Sequence, residues 1–150
     1  MRILAIDLGD QRTGLARADR ITSIASPAGL IEVPIDHDEG KRLLEALARE
    51  IASEPSDCEI LIGLPLNMDD SVGPRAKLVK DFAQRLAVHT NRSIILVDER
   101  RTSVAADSKM SQTGLTHKQK KKRRDAIAAA AIAELYLSDP EATIDTLNPS

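Results

Sequence analysis

Aromatic side chains are almost missing from this chain: Phe82 and Tyr136 are the only two, and there is no tryptophan. A surface that grips bases or sugars by stacking is therefore excluded, and recognition must come from charge, backbone and aliphatic groups. Cysteine is equally scarce, since Cys58 stands alone, which rules out an intramolecular disulfide and a thiolate metal site. The histidines His37, His89 and His117 are scattered without ligand spacing. No long apolar run exists either. The opening one is broken by Asp7, so neither a signal peptide nor a membrane span is expected, and a soluble, cytoplasmic protein without membrane partners is the default.

What is present fits one globular domain: 150 residues, 42% apolar and 29% charged, enough to bury a real core. The formal net charge of -2 argues against a general nucleic-acid binder. That average conceals a local extreme, because Lys118, Lys120, Lys121, Lys122, Arg123 and Arg124 crowd one short segment.

The organising stretch is the N-terminus, MRILAIDLGDQRTGLARA. Ile3, Leu4, Ala5, Ile6 and Leu8 predict a buried strand around Asp7, whose carboxylate would be costly to bury without a partner, a hydrogen bond or a cation. Gly9 and Gly14 bracket a polar turn, after which the chain returns as a second strand. A third strand is expected within the stretch from Ile21 to Val33. Leu43, Leu44, Leu47 and Ile51 recur at helical spacing, as do Leu78, Val79, Phe82 and Leu86 after Pro74. Between these helices lie a short strand from Glu59 to Gly63 and a loop from Leu64 to Ser71, where Pro65 cannot continue a central strand. Ile94 to Val97 forms the next strand. Thr102 can cap a weak helix towards Met110, Ser111 to Thr116 is polar, and a last helix carries Asp125, Ala128, Ala129, Ile132, Leu135 and Tyr136. Hairpins come first and crossovers second, so a partly parallel sheet is expected, with a domain over 1–139 and a flexible tail over 140–150.

Ligands of such sheets sit beyond the carboxyl ends of the parallel strands. Asp7 and Glu99 lie at two such ends and could meet if their strands are neighbours. Asp125 is the third candidate, since it opens a packing stripe where a carboxylate is out of place unless paired. Three converging carboxylates make an all-oxygen site suited to Mg²⁺ or Mn²⁺, which promotes phosphodiester hydrolysis. Each has a plainer alternative: a turn cap for Asp7, a salt bridge with Arg12, Arg100 or Arg101 for Glu99, and a favourable helix-end charge for Asp125. Asp98 points to the opposite side and reads as a turn-stabilising residue.

Lysines and arginines opening a helix oppose its dipole and repel one another, penalties that phosphates relieve. Lys120, Lys121, Lys122, Arg123 and Arg124 are accordingly candidate substrate contacts, against the alternative of a solvated loop. Arg12 either meets a scissile phosphate or balances the acidic cluster. Asn67 and Arg75 are weaker candidates for lining a substrate groove, with ordinary loop chemistry as the rival reading.

Five stretches, IDLGDQRTGLA from Ile6, GLPLNMD from Gly63 with SVGPRA from Ser71, FAQRL from Phe82, VDERRTS from Val97 and RRDAIAAAAIAELYL from Arg123, occur in family order. Together they resemble the YqgF/RuvX family of bacterial pre-16S rRNA nucleases, also described as Holliday-junction-resolvase-like proteins. The resemblance implies an α/β ribonuclease H-like fold, with a mixed five-stranded sheet, its first strand central, and helices on both faces. It places the family's acids on Asp7, Glu99 and Asp125, and implies metal-dependent 5′-end processing of precursor 16S rRNA or of a pre-ribosomal particle. Asp70 stands where the family usually has Gly and Arg101 where it usually has Leu. The first departure bears on a turn that prefers positive φ.

Rival readings are a non-catalytic RNA-binding ribosome-assembly factor and a DNA junction resolvase. An actin-like ATPase is disfavoured, since the chain is too short for two lobes and lacks a second phosphate loop. One core accounts for the apolar helix faces, so a monomer or weak homodimer is expected.

Overall fold

The computed structural model describes residues 1–101 and 117–149, with backbone alone for 101 and 117–123. A sheet of six strands runs β1 (Arg2–Leu8), β2 (Thr13–Asp19), β3 (Ala25–Ile31), β4 (Glu59–Leu64), β5 (Ile94–Asp98) and β6 (Thr143–Leu147) in chain order. In space the order is β3-β2-β1-β4-β5-β6. The β1–β2 and β2–β3 pairs are antiparallel hairpins, β1–β4 and β4–β5 are parallel, and β5–β6 is antiparallel. The mixed sheet with β1 inside it matches the expectation. The sixth strand does not: the stretch expected to be a flexible tail pairs with β5 and buries Leu147.

Alternation along β1 decides what covers each face. Leu4, Ile6 and Leu8 join the core under α1 (Lys41–Ala52) and α2 (Pro74–Thr90). Ile3 and Ala5 join the opposite core, under α3 (His117–Ser138). In α1 the stripe Leu43, Leu44, Leu47 and Ile51 is buried, and in α2 it is Val79, Phe82 and Leu86 with three alanines. Burial of each such large side chain stabilises the fold by about 1.5–3 kcal/mol before entropy is charged against it.

α3 is built differently. Its buried residues include Ala126, Ala129, Ala130, Ala131 and Ala133, and the strands beneath it present Ala5, Gly14, Ala16 and Ala18. Small residues on both sides let helix and sheet backbones approach closely. At the far end of α3 the Tyr136 hydroxyl donates to Glu59 Oε1 at 2.7 Å, while Arg20 grips the same carboxylate at 2.7 and 2.9 Å. The weak helix expected over 102–110 and the polar stretch over 111–116 lie outside the described residues.

Candidate active site

Asp7 extends the α3-side stripe of β1 after Ile3 and Ala5. Its register partner on β2 is Gly14. On the other side the parallel pairing Ile6 with Ile62 puts Gly63 next along β4, and Gly63 pairs with Val97 of β5. Across the sheet the row therefore reads Gly14, Asp7, Gly63, Val97 on one face. Both glycines beside Asp7 are spaces in use. A Cβ at Gly14 would lie 2.0 Å from the backbone oxygen of Asp125, and a Cβ at Gly63 would lie 3.3 Å from the Glu99 carboxyl carbon and 2.6 Å from Ile132 Cδ1.

Asp7 and Glu99 meet without the condition set for it in the sequence. The strands carrying Asp7 and Glu99 are not neighbours, because β4 lies between them. Glu99, in the 3-10 turn that follows β5, reaches over β4 because Gly63 has no side chain there, and hydrogen-bonds to Asp7. Burial pushes the Asp7 carboxyl well above the ordinary carboxylate range, and the hydrogen bond and negative charge of Glu99 push the same way. The Arg75 charge opposes them without winning. Two carboxyls this close cannot both ionise cheaply.

Asp125 belongs to α3. At the Gly14 side of the row its carboxylate accepts from Arg12 Nε at 3.1 Å. Among the described residues no group of three His, Cys, Asp or Glu side chains is assembled to hold a metal ion. Arg12, a candidate for either a phosphate or an acid, contacts Asp125 here. The pair Asp7–Glu99 meets, and the third acid is carried to the same end of the sheet by the close packing of α3 on Gly14.

The flanks are also tied to this end. Arg75, in the first turn of α2, donates to the Leu8 carbonyl at 2.6 Å and pairs with Asp10. Asp98 is buried and accepts both Nε and Nη2 of Arg100, at 2.9 and 2.7 Å, together with the Arg100 backbone N–H. It is a turn-stabilising residue, as its side of the strand suggested. Arg100 continues to the Asn67 carbonyl at 3.0 Å and to Asp70 at 2.7 Å. Asp70 has φ +69°, the left-handed conformation expected of this turn. Asn67 closes the loop through Ser71. Arg124 is exposed, and the side chains of Lys120, Lys121, Lys122 and Arg123 lie outside the described residues.

Sequence reasoning missed Gly63. Its signal was present but unread: a glycine ending an otherwise branched strand marks a close approach.

A mixed sheet of this order, with acids gathered beyond the ends of its central strands, defines the ribonuclease H-like class of folds. Solved structures agree at the level of the fold: Thermus thermophilus RuvC in complex with Holliday junction substrate (TM-score 0.54, 12% identity, 98% of this chain and 99% of that one) and the Fowlpox virus resolvase complex with Holliday junction DNA (TM-score 0.56, 13% identity, 93% and 99%). The RuvX family model, described as Holliday junction resolvase, matches residues 1–139, and the chain belongs to that family. Its relatives include proteins named "Putative pre-16S rRNA nuclease" from Lachnospira eligens (34% identity, covering 94% of this chain and 99% of the relative) and from Anaeromyxobacter sp. strain K (36%, 91% and 96%).

Proposed function

We propose that this protein is a divalent-metal-dependent nuclease that hydrolyses phosphodiester bonds at the 5′ end of precursor 16S rRNA in the bacterial cytoplasm. The observation that carries the reading is the Asp7–Glu99 pair, two carboxyls brought together over Gly63. A divalent cation held between the two carboxylates would relieve their repulsion.

The donor set fits the group: carboxylate oxygens suit Mg²⁺ or Mn²⁺. Asp7 and Glu99 would hold the ion, with Asp125 as the third ligand. A bound ion supplies Lewis acidity towards a phosphate oxygen and a more acidic water nucleophile. The chain's own residues do the rest. Arg12 orients the Asp125 carboxylate. Arg75 fixes the backbone of Leu8 and so the end of β1 on which Asp7 sits. The basic segment with Lys120, Lys121, Lys122, Arg123 and Arg124 supplies the charge that holds a phosphodiester strand.

The names of the relatives support an rRNA substrate. The family description and the two junction-bound neighbours favour a second reading, DNA junction resolution. The test compares a 5′-extended 16S rRNA fragment with a four-way DNA junction, each with Mg²⁺ or Mn²⁺, using the parent protein, Asp7→Asn and Glu99→Gln. The expected result is metal-dependent cutting of the RNA, lost in both variants. Cutting that persists in Asp7→Asn removes the site assignment. Tight RNA binding by all three proteins without cutting makes this an assembly factor.

A further inference from the structure

The loop between β4 and α2 runs beside the acidic pair. It leaves β4 just after Gly63, touches Arg100 next to Glu99, and enters α2 at Arg75 next to the Asp7 strand end. At its tip Met68 is 89% exposed, with Val72 also exposed. Single exposed apolar side chains are ordinary on protein surfaces. Met68 differs in its support. The Asn67 N–H donates to the Ser71 carbonyl and the Asp70 N–H to the Asn67 carbonyl, both at 3.0 Å. Asn67 Nδ2 donates to Ser71 Oγ, and the Ser71 N–H to Asp69 Oδ1, again at 3.0 Å. Asp70 accepts a positive φ to complete the turn and binds Arg100. The backbone that presents Met68 to solvent is thus hydrogen-bonded on both sides of the tip, which lowers the ordering cost of binding through it.

We propose that Met68 is a wedge that inserts into the base stack of an RNA duplex at the step next to the phosphodiester held by the acidic site. This rests on the nuclease reading and adds a substrate feature to it, a paired step that must be opened. The chemistry is consistent with the composition. Proteins that unstack a step insert apolar side chains, methionine among them, and this chain has no exposed aromatic ring to serve instead: Phe82 is buried, and Tyr136 is half-buried and engaged with Arg20 and Glu59. The arginines on either side of the loop, Arg75 and Arg100, are both committed to protein carboxylates and carbonyls. They brace the loop and leave the tip as its one apolar contact surface beside Val72.

The test separates binding from unstacking. Asp7→Asn protein, and the same protein carrying Met68→Ala or Met68→Leu, is titrated into an RNA duplex with a 5′ single-stranded extension and 2-aminopurine at the first paired position. Anisotropy reports binding and 2-aminopurine emission reports unstacking. The expected result is a rise in emission with Asp7→Asn alone, loss of that rise with Met68→Ala at similar affinity, and its return with Met68→Leu. In the otherwise unaltered enzyme, Met68→Ala slows cutting at a paired step by about tenfold, the scale of losing part of an unstacking contribution, and leaves cutting at an unpaired step unchanged. An equal rise with Met68→Ala, or no rise in any bound protein, overturns the wedge and leaves the nuclease reading intact. Unchanged anisotropy with every protein overturns both.

Discussion

Asp7 is the residue at which burial, a like charge and a hydrogen bond act in the same direction. Because its carboxyl is raised well above the ordinary range, the folded, metal-free protein binds a proton there that the unfolded chain gives up near pH 4. Stability falls wherever the folded state holds more protons than the unfolded one and the pH is rising. Asp7 therefore contributes fully below about pH 4, and its contribution declines as the pH climbs towards the raised folded value. Asp7→Asn removes that decline. The variant should melt at a higher temperature than the parent at pH 7 without metal, and the difference should shrink when both are melted near pH 4. Divalent metal should raise the melting temperature of the parent, more so at higher pH because the ion competes with the proton, and should leave Asp7→Asn nearly unmoved. Thermal melts across pH, with and without Mg²⁺ or Mn²⁺, check all of this. Asp7 and Glu99 were legible in the sequence because each is an acid at the end of an apolar run. The way they meet was not legible, since it depends on which strand lies between them and on that strand having no side chain at Gly63. Arg12 was open for a related reason: an arginine in a turn suits a phosphate and a carboxylate equally, and only the packing of α3 on β2 brings Asp125 within 3.1 Å of it.

Two glycines show how elements, rather than residues, assemble this end of the sheet. A methyl group at Gly14 meets backbone, the Asp125 carbonyl at 2.0 Å, and the helix can only relieve that by moving as a body. Gly14→Ala should cost about 1–3 kcal/mol or more, the range of overpacked cores, and should weaken metal binding by lifting Asp125. At Gly63 the nearest atoms are the Ile132 terminal methyl at 2.6 Å and the Glu99 carboxyl at 3.3 Å, both side-chain ends that can turn aside. Gly63→Ala should therefore cost less stability, about 1 kcal/mol, and more function, because the group that turns aside is Glu99. Denaturant unfolding beside metal titration separates the two: the larger loss of stability belongs to Gly14→Ala, while Gly63→Ala should lose metal affinity out of proportion to its stability. The order of hairpins, crossovers and helices was readable because the stripes of α1 and α2 and the branched strands carry strong periodic signals. β6 was not, and its composition explains this. In Thr143–Leu147 only Leu147 is buried while Ile144 is exposed, so the strand has no alternation to detect. Its place is set by backbone pairing to the open edge of β5, which no pattern within the five residues encodes.

Over the whole molecule the charge is nearly balanced, at -2, yet its distribution is not. Asp7 and Asp125 sit where α3 meets β1 and β2, and the same helix begins at His117 and passes through Lys118, Lys120, Lys121, Lys122 and Arg123 before reaching Asp125. A balanced protein has little long-range attraction for a polyanion. On the proposed reading binding is carried by this one basic segment, so its salt dependence should be traceable to a few side chains rather than spread over the surface. Each phosphate contact to a single strand contributes about 0.7 to the slope of log affinity against log salt. Replacing Lys120, Lys121 and Lys122 together by glutamine should lower that slope by about two if all three meet phosphates. The stability of the fold should hardly change, because these like charges at the positive end of a helix oppose its dipole and repel one another. Equal replacement of Lys41, Lys77 and Lys80, on α1 and α2 across the sheet, should leave the slope as it was. RNA anisotropy titrations at roughly 50 to 200 mM salt, the range over which phosphate contacts change affinity most visibly, measure the difference. An equal fall in slope from both triple variants would mean that the strand is held by diffuse charge on both faces, and would detach the basic segment from the acidic site it precedes.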